Sequence, residues 1–193
     1  MDNAQRLKIL SNTGKTAFSL KNLQSLWGSP PQITKIIAKR MVDKGLIARV
    51  DRGYYALNEN FNIYELANLI ISPSYVSLHS SLFYHGIAFQ VSNIITSVSL
   101  LNYQREVGGR VYEYHAMKAS LFFTMEGIDY KGNVSMAKPE RAILDCLYFN
   151  ILPNIDNMDK INPTYLRGTS LFYPGRVQEK LKNILSDYDQ KRI

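Results

Sequence analysis

Gln32, Thr34, Lys35 and Lys39 fall within eight residues of one another, and Arg49 and Arg52 follow ten and thirteen residues after Lys39. Amide, hydroxyl and ammonium groups presented from a helix are the side chains that hydrogen-bond to base edges. Lysine and arginine beside them neutralise phosphates. The chemistry these types and spacings offer is recognition of a polyanion rather than the making or breaking of bonds.

Bond-making chemistry finds less to work with. His79 and His85 are six apart and face different directions on a helix, and His115 has no carboxylate or cysteine at ligand spacing, so no zinc pattern is present. Ser77, Ser80 and Ser81 lack the G-x-S-x-G elbow of a hydrolase. Glu140 and Asp145 are five apart on one helix and point apart, and Glu140 suits the helix N-terminus instead. Cys146, near Leu144 and Leu147, reads as a small buried hydrophobe. Gly108-Gly109 lacks the rest of a phosphate loop. The expectation is a protein that is not an enzyme, with no catalytic residue, no metal and no cofactor.

The recognition residues need a helix and a hairpin to hold them. Ser29 is placed as an N-cap, with Pro30 and Pro31 at the first helical positions, where a missing N–H costs nothing. Ile33, Ile37 and Met41, with Ile36 filling the stripe, predict the buried face. Gln32, Thr34, Lys35, Ala38 and Lys39 then fall on the remaining surface. Gly45 stops the helix. Leu46 to Val50 and Tyr54 to Leu57 predict two strands around the turn Asp51-Arg52-Gly53, with Arg52 at the tip and Arg49 on the approach. Ser19 caps a preceding helix, Leu20 to Trp27, and residues 2–12 suggest a first one. Three helices and a hairpin in this order are the plan of a winged helix-turn-helix over residues 1–60. Gln32, Thr34 and Lys35 are the expected base contacts. Ser29, Lys39, Arg49 and Arg52 are the expected phosphate and wing contacts.

Charge is distributed in keeping with this plan. The 193-residue chain carries a net +7. Residues 1–60 hold ten Lys/Arg against four acids, whereas the remaining 133 residues are nearly balanced, with 13 Lys/Arg against 12 Asp/Glu. The excess points the first third of the chain at a polyanion. No apolar run reaches 18 residues, MDNAQRLKIL lacks the apolar core of a signal peptide, and one cysteine excludes an internal disulfide. A cytoplasmic protein without membrane contact is the expectation.

Residues 61–193 predict a mixed α/β unit, making the fold class α+β overall. Asn62 caps a helix running to Ser72, Tyr75-Val76-Ser77 is extended, and His79 to His85 is helical. Ile94 to Leu101 is β-rich, and Arg110 to Ala116 alternates as a hairpin partner after the Gly108-Gly109 turn. Leu121-Phe122-Phe123 and Ile128 to Met136, broken at Lys131-Gly132-Asn133, supply further strands. Lys138-Pro139-Glu140 opens an apolar core helix. Residues 151–172 read as a loop with at most one helical turn. Pro174 to Tyr188 forms a C-terminal amphipathic helix, with Val177, Leu181, Ile184, Leu185 and Tyr188 on one face.

Three stretches in order, KGLIARVDRGYY, PSYVSLHSSLFYHG (73–86) and KPERAILDCLYF (138–149), resemble the AbiEi family of antitoxins and transcriptional regulators from abortive-infection toxin–antitoxin systems. The likeness spans about residues 5–150. It implies a winged helix followed by an α/β domain, and repression of the protein's own operon through double-stranded DNA of its promoter. It also implies neutralisation of a cognate nucleotidyltransferase-like toxin by the domain at 61–193. A monomer or a homodimer on DNA fits paired half-sites. A protein-binding module whose basic helix holds DNA only weakly is the alternative, and the 13 tyrosines suit such an interface.

Overall fold

The computed structural model of the protein describes residues 1–191, with side chains through Ser186. The chain is α+β. Helix α1 (Asn3–Asn12) opens it under an Asp2–Gln5 capping box. Strand β1 (Ala17–Ser19) runs directly into α2 (Leu20–Trp27). As expected, Ser19 caps α2. Its Oγ accepts from Asn22 N at 3.2 Å, and its own N–H is returned to Asn22 Oδ1 at 2.9 Å. Gly28 turns the chain at φ 59 into α3 (Pro31–Asp43), followed by β2 (Ala48–Asp51) and β3 (Tyr54–Ala56).

These three strands form an antiparallel sheet in the order β1-β3-β2. Sequence patterning missed β1, because three residues are too few to show alternation. Leu10, Phe18, Leu23, Trp27, Ala38, Met41, Ile47 and Tyr55 form the core beneath the sheet and helices.

Helix α4 (Ile63–Ile70) follows, capped by Asn62, whose Oδ1 accepts from Tyr64 N at 2.9 Å. It stops two residues short of the expected Ser72. Then come β4 (Ser74–Val76), α5 (Leu78–Tyr84), β5 (Ile94–Ser99), β6 (Tyr103–Val107) and β7 (Arg110–Ala116). A short helix α6 (Ala119–Phe122) occupies the place of an expected strand. Strands β8 (Ile128–Lys131) and β9 (Val134–Ala137) form where further strands were expected and pair as a hairpin, and α7 (Pro139–Tyr148) is the core helix.

Six strands make one mixed sheet in the order β6-β7-β5-β4-β9-β8. The hairpin around Gly108-Gly109 joins β6 to β7, while β5 lies parallel to β7. The expected partner of β7 across this turn was therefore the wrong strand. YQREV carries too many polar residues to show as a strand. The stretch at 151–172, expected as a loop, contains a 3-10 turn (Met158–Lys160) and the full helix α8 (Pro163–Ser170), capped by Asn162. Helix α9 (Gly175–Lys191) closes the described chain, burying Val177 and Leu181. The expected place of Tyr188 on this face lies outside the described side chains.

Leu66 and Ala67 of α4 pack on one sheet face with Val76, Tyr112 and Tyr114, and α5 and α7 cover the other face. The first core layer also takes in Ala17, Val50 and Tyr54, so the 1–60 segment packs directly on the larger sheet. Polar contacts at the joint match that packing. Buried Glu65 accepts from Thr16 N at 2.9 Å and Thr16 Oγ1 at 2.7 Å, and Asn62 N donates to Thr16 Oγ1 at 2.9 Å.

Under α7 lies a fully buried ion pair. Arg141 Nε is 3.3 Å from Asp145 Oδ1. Its Nη groups donate to the carbonyls of Thr124, Glu126 and Leu121 at 3.1–3.2 Å and to Tyr75 OH at 3.1 Å. Asp145 accepts from Ser77 Oγ at 2.6 Å and from Tyr173 OH at 2.5 Å. Burial opposes charge on Arg141, but Asp145, Tyr75 and Tyr173 together more than offset it and hold the guanidinium protonated. Glu140, beside this pair, sits in the first turn of α7 as expected but reaches across to accept from Asn162 N at 2.8 Å.

Candidate nucleic-acid interface

Helix α3 is rotated from the register its apolar residues suggest. Thr34, Ala38 and Met41 are fully buried, while Ile33 and Ile36 face solvent at 49% and 48% exposure. The reason lies in one hydroxyl. Thr34 Oγ1 is 2.9 Å from the Pro30 carbonyl and 3.0 Å from the Ser29 carbonyl, within reach of its proton, and 2.8 Å from Ser29 Oγ. A threonine satisfied by its own helix terminus is tolerated in a core. A scan for apolar periodicity cannot see that.

One expected base contact and one expected helix cap are corrected by this geometry. Thr34 is sealed inside and leaves the set of base contacts. Ser29 is not the N-cap; Pro30 holds that position without a side-chain cap, and the Ser29 hydroxyl is engaged with Thr34. Gln32 stands exposed in the first turn of α3.

The predicted hairpin forms with Arg52-Gly53 as its loop, and Gly53 takes φ 87, a conformation other residues rarely adopt. Asp51 organises the turn. Its Oδ1 accepts from Arg52 N at 2.6 Å, and its Oδ2 pairs with Arg105 Nη2 at 3.1 Å. The Arg105 guanidinium also lies over the Tyr54 ring, 5.3 Å from its centroid. A second brace comes from the β6–β7 turn. A Cβ on Gly108 would stand 3.0 Å from Val50 Cγ1, and Gly108 takes φ 58, so glycine suits this close approach of the turn to β2.

Between α3 and this hairpin opens a concavity of about 730 Å³. Lys35, Lys39, Arg49, Arg52 and Arg105 line it, with Asp43 as the one carboxylate. Four residues singled out from sequence thus come together, and Gln32, Ser29 and Thr34 do not join them. Arg105 was missed. It stands 53 residues beyond Arg52, and no local pattern marks a side chain that enters the site only through tertiary packing.

The histidines sit elsewhere. His79 and His115 line a smaller concavity of about 290 Å³ with Glu113, Thr96 and Asn154. His115 Nε2 is 3.3 Å from Glu113 Oε1, a pairing across one intervening residue that the spacing argument overlooked. Burial lowers the pKa of both His79 and His85, and the His85 ring meets the Ala137 carbonyl at 3.2 Å. Cys146 is fully buried, and burial pushes its thiol well up. Among the described residues no group of three or more His, Cys, Asp or Glu is placed to hold a metal ion, and no helix is long and apolar enough to cross a membrane. Comparison of the chain with protein-family models and with curated proteins gives no match.

Proposed function

We propose that the protein is a sequence-specific, double-stranded-DNA-binding transcriptional repressor whose residues 1–60 act as a winged helix. The observation that carries this reading is the concavity in which five cationic side chains from α3, the β2–β3 hairpin and β6 face one carboxylate. An α-helix with its side chains is about 10–12 Å across, and the major groove of a B-form duplex is about 12 Å wide. With α3 in the groove, exposed Gln32 and Lys35 meet base edges. Lys39, Arg49 and Arg52 meet phosphates, with the Arg52 tip beside the minor groove, and Arg105 adds a further charge behind the hairpin.

The resemblance to AbiEi regulators supplies the biological setting of the proposal. The DNA is the promoter of the protein's own toxin–antitoxin operon, and residues 61–193 neutralise a cognate nucleotidyltransferase-like toxin. The second reading, a protein-binding module, is favoured by Phe83, Tyr84, Phe89 and Val91, which are exposed on the larger unit. The three exposed aromatics among them suit a protein partner.

Fluorescence anisotropy with DNA from upstream of the gene, against random DNA of equal length at low and near-physiological salt, tests the repressor. Preference for the upstream fragment that persists at the higher salt is the expected result. Equal, salt-sensitive binding to both would leave only a basic patch and favour the protein-binding reading.

A further inference from the structure

We infer that Ile33 and Ile36 are specificity residues that read the 5-methyl groups of thymine, an assignment that rests on the DNA-binding reading above. Both side chains are about half exposed although the helix has a buried face available. They stand among Gln32, Lys35, Lys39 and Arg40, all exposed. On a 3.6-residue helix, Ile36 lies one turn after Gln32 and one turn before Lys39 and Arg40, at the centre of the outer surface. Ile33 lies one turn before it, towards the N-terminal end.

Neither isoleucine belongs to the core that holds α3, which is made by Thr34, Ala38 and Met41 with Ile37 and Val42 packed against it. Phosphates offer the pair nothing either. The surrounding cations nevertheless commit this face to a polyanion, and the apolar group that a duplex presents in its major groove is the thymine methyl. Ammonium and guanidinium groups thus hold the backbone while two branched apolar side chains sort A·T from G·C positions. The preferred site therefore contains thymine at one or two positions facing the middle of α3.

The test uses the full chain and a randomised duplex pool. The enriched duplex is then synthesised with deoxyuridine in place of each thymine in turn, a change that removes only the methyl group. Wild-type protein is expected to lose about fourfold in affinity at one or two positions, the effect of one buried methyl group. The Ile36→Ala and Ile33→Ala variants should bind both duplexes equally at those positions. Alanine is the stronger helix former and these sites are outside the core, so the variants keep their fold; the thymine-to-deoxyuridine comparison on wild-type protein needs no variant at all. Equal binding of thymine and deoxyuridine duplexes by wild-type protein overturns the assignment while leaving the repressor intact. So does discrimination that survives in both variants. A pool that never enriches overturns the repressor reading itself, and the methyl readout with it.

Discussion

Arg141 and the cations of the α3–hairpin concavity carry the same charge in opposite surroundings. Arg141 is fully buried, and its guanidinium is taken up by Asp145, Tyr75 and three carbonyls. Lys35, Lys39, Arg49 and Arg52 open onto a concavity with Asp43 as its single acidic lining residue. A buried charge, paired with a carboxylate and donating from its Nη groups inside the fold, holds structure together and is closed off from a ligand. Charges gathered on one surface, without matching acids, repel one another until a polyanion arrives. Arg105 stands between the two cases, half-buried and paired with Asp51, yet lining the concavity.

The contrast is sharpest in stability. Asp145→Ala leaves the Arg141 charge buried without its carboxylate, and the expected loss is about 3–5 kcal/mol in denaturant unfolding. The salt dependence of DNA binding by the surviving folded fraction should not change. A loss under about 1 kcal/mol would place Asp145 outside the structural core of the larger unit.

Lys35→Ala probes the other side of the comparison. Discrimination between the enriched site and random DNA should drop by about 1–3 kcal/mol, with the melting temperature unchanged. Equal losses on both DNAs would move Lys35 to the phosphate contacts.

Adjacent residues of α3, Thr34 buried and Lys35 exposed, show the two behaviours side by side. Thr34→Ala deletes a buried hydroxyl bonded to the helix terminus and to Ser29, and should lower stability by on the order of 1 kcal/mol with sequence preference retained. A changed sequence preference at unchanged stability would restore Thr34 as a base contact.

The smallest expected effect belongs to the intermediate residue. Arg105→Ala breaks a partly exposed pair, which is worth roughly 0.2–1 kcal/mol. It also loosens the turn through Asp51. Its affinity loss for random DNA should therefore exceed its stability loss; the reverse ordering would make Arg105 a purely structural brace.

Much of this arrangement was legible in the residues. Ser19, Gly28, Asn62, Gly53 and Pro139 are local signals whose meaning does not depend on distant neighbours, and the elements they bound formed close to where expected. Lys35, Lys39, Arg49 and Arg52 were found because charge excess and helix–hairpin order agree over a short span. Most of what was missed depends on partners far along the chain or on hydrogen bonds rather than apolarity. Thr34 is buried through its hydroxyl, against the isoleucine count. Strand β6 carries Gln104, Arg105 and Glu106, and becomes a strand because β7 pairs with it. Helix α8 carries a local start signal in Asn162-Pro163 that the Asn- and Pro-rich composition of its surroundings masked, and Glu140, 22 residues away, also accepts from Asn162 N.

The most direct test of the central claim, that duplex DNA is held by α3 with its backbone against the concavity, is the slope of log affinity against log salt for wild-type protein and for the Lys39→Ala/Arg49→Ala/Arg52→Ala triple variant. Each lost phosphate contact lowers the magnitude of the slope by about 0.9, so removal of three should lower it by nearly three at unchanged thermal stability. An unchanged slope in the folded triple variant would mean that the DNA, if bound, is bound elsewhere, and would contradict the account.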